Sequence, residues 1–144
     1  MADKKIRLQI ITPTEKKVDE AAEMVIMRCV DGNMGILAGH EAHSAVLDYG
    51  IMRILNGGDE RQIVIYGGLA VIESDTVTVL TNEAEWPEEI DHARANADRE
   101  HIERHLREKT DDFEIKKDRI RLRRALMQIE VSSPLLLNSQ MKQE

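Results

Sequence analysis

Asp91 and Arg94 are an acid and a base three residues apart, near the start of a predicted helix. Side chains at this spacing lie on one face of a helix, and the neighbouring Ala95 is small enough to let another group approach. The pair could therefore offer a hydrogen-bond acceptor and a cation to one ligand. The alternative is an ordinary surface ion pair, which stabilises a helix by only about 0.2–0.5 kcal/mol.

A second chemical feature is a basic run on the following predicted helix. Between residues 115 and 129, six Lys and Arg side chains accompany one acid, Asp118, which leaves a local excess of five positive charges. The basic residues are Lys116, Lys117, Arg119, Arg121, Arg123 and Arg124. An acidic surface would be a natural partner for them, although a solvated helix face explains the pattern equally well.

Other chemistry is poorly supported by the sequence. His40, Glu41 and His43 are close together, but their spacing is not the two-histidine helix turn of zinc hydrolases. Gly67-Gly68 lacks the lysine of a phosphate-binding loop and indicates a kink or bulge. No local motif marks a serine or cysteine nucleophile. The sequence therefore predicts no catalytic residue, no metal site and no required cofactor.

The first part of the chain has the pattern of short strands. Apolar residues alternate with polar ones, and turn signals follow at regular intervals, the strongest being the run from Asn56 to Asp59. The predicted strands cover residues 6–10, 24–30, 45–47, 51–55, 62–66, 69–72 and 76–81. Strands this short with turns this regular predict an antiparallel sandwich or barrel.

The pattern changes to that of helices after Pro87, which can open a helix because its missing N–H would have no partner there. One apolar face of this helix is predicted at Ile90, Ala93 and Ala97, and a slightly rotated continuation of it at Ile102 and Leu106. Thr110 is the predicted N-cap of a second helix, and Pro134 is its predicted end. The apolar stripe of that helix comprises Ile115, Leu122, Leu126 and Ile129.

These elements predict a β-sandwich followed by a carboxyl-terminal antiparallel two-helix hairpin. The sandwich spans residues 1–85, the hairpin residues 86–133, and a flexible tail residues 134–144. The turn between the helices is only a few residues long, so the helices must be antiparallel neighbours. Neither helix alone buries enough apolar surface to be secure.

Composition limits the function further. Aromatic residues make up 3% of the chain, so the core must be aliphatic and few rings are available for stacking on nucleic-acid bases. The net charge is −7, and residues 1–87 hold eight Lys and Arg against fourteen Asp and Glu. Cys29 is the one cysteine, which fits a reducing compartment, and no apolar run approaches the roughly 20 residues that span a bilayer. We expect a cytosolic protein or one docked to a membrane complex.

Three stretches together resemble the epsilon subunit of bacterial F-type ATP synthase. They are residues 32–40, residues 67–71 leading into 77–80, and the pattern Ile90-Asp91-x-x-Arg94-Ala95. Each stretch is weak alone, but their order and spacing within a strand-then-helix chain are specific. The resemblance implies a non-catalytic stalk subunit, peripheral at the cytoplasmic face of the bacterial membrane and attached there only through its complex.

The resemblance also implies partners and contacts. The subunit would bind the gamma subunit and the rotor c-ring, and its hairpin would restrain ATP hydrolysis by the catalytic beta and alpha subunits. Coupling could be to protons or to sodium ions. Ring contact is implied at Gly35, Ile36, Leu37, Gly39 and His40. Inhibitory contact with an acidic segment of the beta subunit is implied at Arg119, Arg121, Arg123 and Arg124.

Some relatives also bind regulatory ATP at the hairpin, which here implies a site at Glu85, Ile90, Asp91, Arg94 and Ala95. The sequence departs from those relatives at His101 and Gln128, where they have arginines, and at Ala38, where the family usually has proline. Two other classes of protein remain open from the residues alone. One is a regulatory module whose basic helix binds nucleic acid or another acidic partner, and the other is a small ligand-binding β-barrel.

Overall fold

A computed structural model describes residues 4–108 and 111–142, with side chains described as far as Ser133. The chain divides into two compact units, Met1–Glu85 and Trp86–Glu144. The first, here called the sandwich unit, contains eight β-strands, and the second, the hairpin unit, contains two α-helices. The predicted fold class, a β-sandwich followed by a two-helix hairpin, is confirmed.

The strands of the sandwich unit form one continuous hydrogen-bonded path. Their order is β2-β1-β7-β6-β5-β3-β4, and β8 pairs with β6. Strands β1 and β7 are parallel, so the expectation of a wholly antiparallel arrangement is wrong at this pair. The strands are β1 (Ile6–Ile11), β2 (Lys16–Ala22), β3 (Met24–Cys29), β4 (Gly32–Leu37), β5 (His43–Asn56), β6 (Asp59–Ile72), β7 (Thr76–Leu80) and β8 (Ala84–Glu85).

Strand β2 has no counterpart among the predicted strands. Only Val18 and Ala22 of this strand are buried, while charged side chains occupy most of its other positions. Such a composition is typical of an edge strand, in which charges on the exposed side discourage pairing with other chains. Asp19 in β2 accepts two hydrogen bonds from the Arg7 guanidinium in β1, and this contact lowers the pKa of Asp19 to about 2.

Strands β5 and β6 are each one long strand where the sequence predicts two. They pair in one unbroken register from His43 opposite Ile72 to Asn56 opposite Asp59. The side of β5 that faces the core changes midway along the strand. The buried residues have odd numbers before the middle, Ala45 and Leu47, and even numbers after it, Met52 and Ile54. The two strands therefore bend and continue from one layer of the sandwich to the other.

Gly68 makes the bend in β6 possible. Its φ of 130° is rarely adopted by other residues, and a Cβ at this position would lie 2.1 Å from the Leu80 carbonyl oxygen. β7 ends at Leu80 and β8 begins at Ala84, so β6 changes partner at this bend. The glycine pair thus bends a continuous strand, as expected for a kink.

The core of the sandwich is aliphatic, in line with the scarcity of aromatic residues. On β1, for example, the predicted alternation is confirmed, because Ile6, Leu8 and Ile10 are almost completely buried. The largest fully buried side chains elsewhere in the unit are Met27, Ile36, Met52, Ile54, Ile63, Ile72, Val25, Val64 and Val77. Burial of each such side chain contributes roughly 1.5–3 kcal/mol, so the unit has a substantial core of its own.

In the hairpin unit, Pro87 does not open the main helix. Pro87–Glu89 is a separate 3₁₀ turn, and helix α1 comprises His92–Glu108. Asp91 Oδ1 accepts a hydrogen bond from the Arg94 N–H at 3.1 Å, which makes Asp91 the N-cap of α1. Helix α2 comprises Asp112–Lys142 and is capped by Asp111, whose Oδ1 lies 3.0 Å from the Phe113 nitrogen. The predicted cap, Thr110, lies outside the described residues.

The apolar face predicted for α1 is wrong at Ala93 and Ala97 but correct at Ile102. Ala93 and Ala97 are exposed, whereas Ala95 and Ile102, seven residues apart, are buried. Ile90 precedes the Asp91 cap and so lies outside α1, and alanines are too small to fix a face by themselves. On α2, Leu126 of the predicted stripe is 45% exposed, while Ala125, Met127 and Val131 are buried.

The prediction that Pro134 ends the second helix is also wrong, since α2 continues to Lys142. A proline inside a helix removes one N–H and strains the preceding turn, but it does not prevent the helix from resuming. Immediately before it, the hydroxyls of Ser132 and Ser133 donate to the carbonyl oxygens of Gln128 and Ile129, each at 2.7 Å. The flexibility expected of residues 134–144 stays a prediction. In the part of the chain that is described, no helix is long and apolar enough to cross a membrane.

Candidate functional site

The sandwich unit exposes a row of apolar side chains across neighbouring strands. Val46 of β5 lies directly opposite Leu69 of β6, and Leu69 lies directly opposite Leu80 of β7. Leu80 in turn pairs with Ile11 of β1, and the Val30 N–H donates to the Val46 carbonyl oxygen at the other end. These five residues are here called the outer apolar row.

The row lies on the outside of the sandwich. Val30, Val46, Leu69 and Leu80 are 59%, 56%, 38% and 44% exposed. Their chain neighbours Ala45, Ala70 and Val79 face the core, as alternation within a strand requires. An apolar patch that continues across several strands is a common sign of a protein–protein interface.

A shallow depression lies beside the row. It has a volume of about 470 Å³. Its lining consists of Ile11, Thr12, Pro13, Gly68, Leu69, Leu80, Thr81 and Asn82. The side chains of Leu69 and Leu80 thus contribute both to the row and to this depression, which could receive a protruding side chain of a partner.

The sequence prediction missed the outer apolar row. A signal for it is nevertheless present, since Ala45-Val46-Leu47 and Thr78-Val79-Leu80 place apolar residues at successive positions of strands whose outer faces should be polar. Whether such residues meet depends on which strands are neighbours and in which register. Neither property follows from local periodicity.

The segment that the resemblance assigns to ring contact is an edge strand and the turn after it. Gly35, Ile36 and Leu37 belong to β4, which pairs with β3. The side chain of Ile36 is completely buried, so it supports the segment from within the core, and the ring contact implied at this residue stays a prediction. Leu37 points outward and is 56% exposed.

The turn after β4 is held by backbone contacts. Gly39 has a φ of 88°, and its N–H donates to the Ser74 carbonyl oxygen at 2.6 Å. The N–H of His40 donates to the Leu37 carbonyl oxygen, and Nδ1 of His40 lies 2.8 Å from the Glu41 carbonyl oxygen. Leu37 and His40 are therefore presented by a fixed turn at one end of the sandwich.

The residues implied in nucleotide binding are only partly brought together. Ile90, Asp91, Arg94 and Ala95 surround the start of α1 in the hairpin unit. Asp91 and Arg94 are exposed, whereas Ala95 is 2% exposed and so packs inside the unit. Glu85 belongs to β8 of the sandwich unit, where its carboxylate accepts a hydrogen bond from the Tyr66 hydroxyl.

Asp91 and Arg94 contact each other through the backbone, since the Asp91 carboxylate accepts the Arg94 N–H. A carboxylate has about four acceptor positions, so capping leaves acceptor capacity for a ligand. Farther along α1, the ring centroids of His101 and His105 are 4.7 Å apart, and Gln128 is half-buried on α2.

The basic run on α2 is mostly at the surface. Arg119, Arg121 and Arg123 are exposed and Arg124 is half-buried. Nη1 of Arg121 lies 3.8 Å from Oδ1 of Asp118 one turn earlier. Exposed apolar side chains accompany the arginines, namely Phe113, Ile120 and Leu126. This mixture of cations and apolar groups is suited to contact with a partner that presents acidic side chains.

Residues 4–108 and 111–142 contain no group of three or more His, Cys, Asp and Glu side chains placed to hold a metal ion. Cys29 is buried, and burial raises the pKa of its thiol. A buried thiol with a raised pKa is a poor nucleophile, because the reactive form is the thiolate.

Two protein families match the chain in succession. Residues 5–87 match the family described as ATP synthase, Delta/Epsilon chain, beta-sandwich domain. Residues 88–133 match the family described as ATP synthase, Delta/Epsilon chain, long alpha-helix domain.

Individual relatives agree with these matches. An ATP synthase epsilon chain from Caldanaerobacter subterraneus subsp. tengcongensis is 36% identical over 132 residues, which are 91% of this chain and 96% of the relative. An ATP synthase epsilon chain from Bacillus velezensis is 33% identical over 129 residues, or 90% of this chain and 98% of the relative.

A solved structure has a similar fold. A chain in the cryo-EM structure of the Euglena gracilis mitochondrial ATP synthase, comprising OSCP, F1 and the c-ring, matches with a TM-score of 0.74 and 30% identity. The match covers 85% of this chain and 78% of that chain.

Proposed function

This chain belongs to the ATP synthase delta/epsilon chain family as an epsilon-type subunit of the F-type central stalk, and on that premise we propose that its sandwich unit docks on the gamma subunit. It acts there as a non-catalytic subunit that links the catalytic head to the rotor. The outer apolar row is the observation that carries this proposal.

The row has the properties that a stable docking surface needs. Four of its members come from different strands of one hydrogen-bonded sheet, and Val30 directly follows β3, so little conformational entropy is lost when a partner covers them. Complete burial of a large aliphatic side chain contributes roughly 1.5–3 kcal/mol to binding. A side chain that is already partly covered in the free chain contributes proportionately less. The excess of acidic residues in the sandwich unit favours a partner with basic residues at the rim of the contact.

The proposal is tested by recovering the tagged chain from gently solubilised membranes of its own cell. We expect the gamma subunit to be recovered with it, together with the alpha and beta subunits and the c-ring. Recovery of nucleic acid or of unrelated acidic proteins in their place would favour the alternative, a regulatory module with a basic helix.

Ring contact is assigned within this proposal to the end of the sandwich that carries Leu37 and His40, with Gly35 and Gly39 shaping the backbone there. In this arrangement the chain is a peripheral subunit at the cytoplasmic face of a bacterial membrane. The ions coupled to rotation are protons or sodium ions, and they pass through other subunits.

The hairpin unit is proposed to be a brake on ATP hydrolysis. The basic run of α2 would meet an acidic segment of the beta subunit, while exposed Phe113, Ile120 and Leu126 add apolar contact. The apolar core of the hairpin is small, with Ala95 and Ile102 facing Ala125, Met127 and Val131. A hairpin with so small an apolar core can exchange its packing against itself for packing against another protein.

We expect the simultaneous change of Arg119, Arg121, Arg123 and Arg124 to alanine to raise ATP hydrolysis by the reassembled complex several-fold. The reason is that several charges directed at one acidic surface can together shift a balanced equilibrium by a few kcal/mol, on the order of 2. The measurement is steady-state hydrolysis at low and high salt, with subunit content checked by gel. Changing Arg99, Arg104 and Arg107 on α1 to alanine is the matched control and should leave hydrolysis unchanged. Equal rates for the wild type and the α2 variant would rule out the brake.

Regulatory ATP is proposed to bind at the start of α1. Asp91 would accept from the adenine amino group and Arg94 would pair with a phosphate, with Ile90 beside them.

For this site we expect Arg94→Ala to weaken ATP binding about tenfold or more, since a charge-assisted contact to phosphate is lost. The substitution keeps the backbone N–H that Asp91 accepts, so α1 stays capped. Calorimetric titration of the whole chain is the measurement, and Arg104→Ala on the same helix is the control. No heat of binding in the wild type at millimolar ATP would leave Asp91 and Arg94 with a structural role only.

A further inference from the structure

A buried carboxylate and a histidine face each other across the helical hairpin. Asp118 of α2 is 3% exposed, and its Oδ2 lies 4.0 Å from Nδ1 of His105 on α1. Its Oδ1 lies 3.8 Å from Nη1 of Arg121 on α2 itself. The side chain of His105 is 43% exposed, so protons from solvent reach it freely.

The contacts of Asp118 with Arg121 and with His105 differ in whether they persist when the helices separate. Arg121 stands three residues after Asp118 on the same helix, so the two stay close whether or not α1 is packed on α2. His105 is on the other helix and meets Asp118 only in the closed hairpin. Of these two contacts of Asp118, the one with His105 therefore requires that α1 is packed on α2.

We propose that His105 and Asp118 form a pH-dependent clasp, which holds α1 against α2 when the imidazole is protonated and loosens when it is neutral. Water solvates a buried carboxylate poorly, so a cation at its side matters more there than at an exposed site. Histidine is the side chain whose charge ordinarily changes between about pH 5 and pH 8. The hairpin would therefore close more tightly in mildly acidic conditions.

The charged groups that face His105 have opposing effects on its protonation. On α1, the His101 ring is 4.7 Å away and would repel the His105 imidazolium if it were also protonated. On α2, Arg121 opposes protonation and Asp118 favours it. His101 is exposed and the Arg121 side chain is 57% exposed, so water screens both, whereas the Asp118 side chain is 4% exposed. The carboxylate is therefore the least screened of these three groups.

A second histidine joins the helices without the same sensitivity. Nδ1 of His92 lies 2.6 Å from Oγ of Ser132, and that hydroxyl donates to the Gln128 carbonyl oxygen at 2.7 Å. The hydroxyl hydrogen is thereby used, so His92 Nδ1 must be the donor. A neutral imidazole protonated at Nδ1 and an imidazolium can both donate this bond, so the contact does not require a charged ring.

The clasp is a property of the hairpin itself and does not depend on the partners proposed above. It matters because it adds a charge-dependent contact to a hairpin in which few of the described apolar side chains are fully buried. Coupling closure to protons would make the hairpin a sensor of the pH around it.

The test measures the distance between the helices in the whole chain as pH changes. Spin labels are placed on cysteines at the exposed positions Ala97 and Glu130, with Cys29→Ala to remove the buried thiol. We expect the ratio of closed to open hairpin, read by pulsed dipolar spectroscopy at constant ionic strength, to fall about fivefold from pH 5.5 to pH 8.

Variants separate the clasp from other causes. His105→Gln should remove the pH dependence, and His105→Lys should keep the hairpin closed at both pH values because its charge is fixed. His101→Gln should keep the dependence, and His92→Gln should lower closure equally at every pH. A constant ratio in the wild type, or an unchanged pH dependence in His105→Gln with native helix content by circular dichroism, would overturn the proposal.

Discussion

Replacing Gly68 by alanine is expected to lower the free energy of unfolding of the sandwich unit by about 3 kcal/mol or more. A residue other than glycine at this φ is strained by about 1–3 kcal/mol, and the new methyl group would also collide with a backbone oxygen. That oxygen, on Leu80, is 2.1 Å from the ideal Cβ position and belongs to a paired strand that cannot easily move.

The measurement is urea unfolding of the whole chain followed by circular dichroism. Gly58→Ala is the matched control, because a Cβ there meets no atom within 4 Å and the backbone is not in the left-handed region. The control should change stability by less than about 1 kcal/mol. If Gly68→Ala unfolded at the same urea concentration as the wild type, the bend in β6 would not need glycine.

The second large effect is expected at the outer apolar row. Leu69→Glu should weaken binding to the gamma subunit by at least thirtyfold, because it places a charge at the centre of an apolar contact where a hot-spot side chain contributes about 2 kcal/mol or more. Leu69 is 38% exposed and lies outside the core, so the fold should tolerate the change. Calorimetry or surface plasmon resonance with purified gamma subunit gives the affinity.

Gln62→Glu is the control for charge alone. It adds a carboxylate to the same strand, seven residues earlier, in the half of β6 that pairs with β8 and the far end of β5. We expect its affinity for gamma to stay within about threefold of the wild type, since charges outside a contact have small effects. If Leu69→Glu bound as well as Gln62→Glu, the row would not be the docking surface.

The sequence was sufficient for features that depend on local patterns. Alternation along β1 correctly predicted which of its side chains are buried, and the glycines and asparagine after Leu55 correctly predicted a hairpin turn. The change to helical periodicity after Trp86 correctly predicted that two helices follow the strands. Each of these signals is contained in fewer than ten residues.

Features that depend on competition between local signals were predicted less well. Pro87 and Asp91 can both begin a helix, and the capping bond to Arg94 makes Asp91 the start of α1. The buried face then includes Ala95 in place of Ala93. Pro134 is a strong local signal for the end of a helix, but α2 continues past it to Lys142.

Features that depend on the arrangement of strands could not be predicted from periodicity at all. The outer apolar row exists because β5, β6, β7 and β1 are neighbours in one particular register. The burial of Ile36 and the exposure of Leu37, adjacent residues in one apolar segment, likewise follow from which face of β4 meets the core. The family resemblance gave the function class, whereas the row itself required the structure.

The most direct test of the account is to find what the outer apolar row touches in the assembled complex. A photo-crosslinking amino acid placed at Leu69 should, on illumination of purified complex, join this chain to the gamma subunit. The same amino acid at Arg53, exposed in the other half of β5, should give much less of that product. Crosslinking to gamma from Leu69 would support the docking proposal, whereas crosslinking only to the c-ring or to no subunit would contradict it.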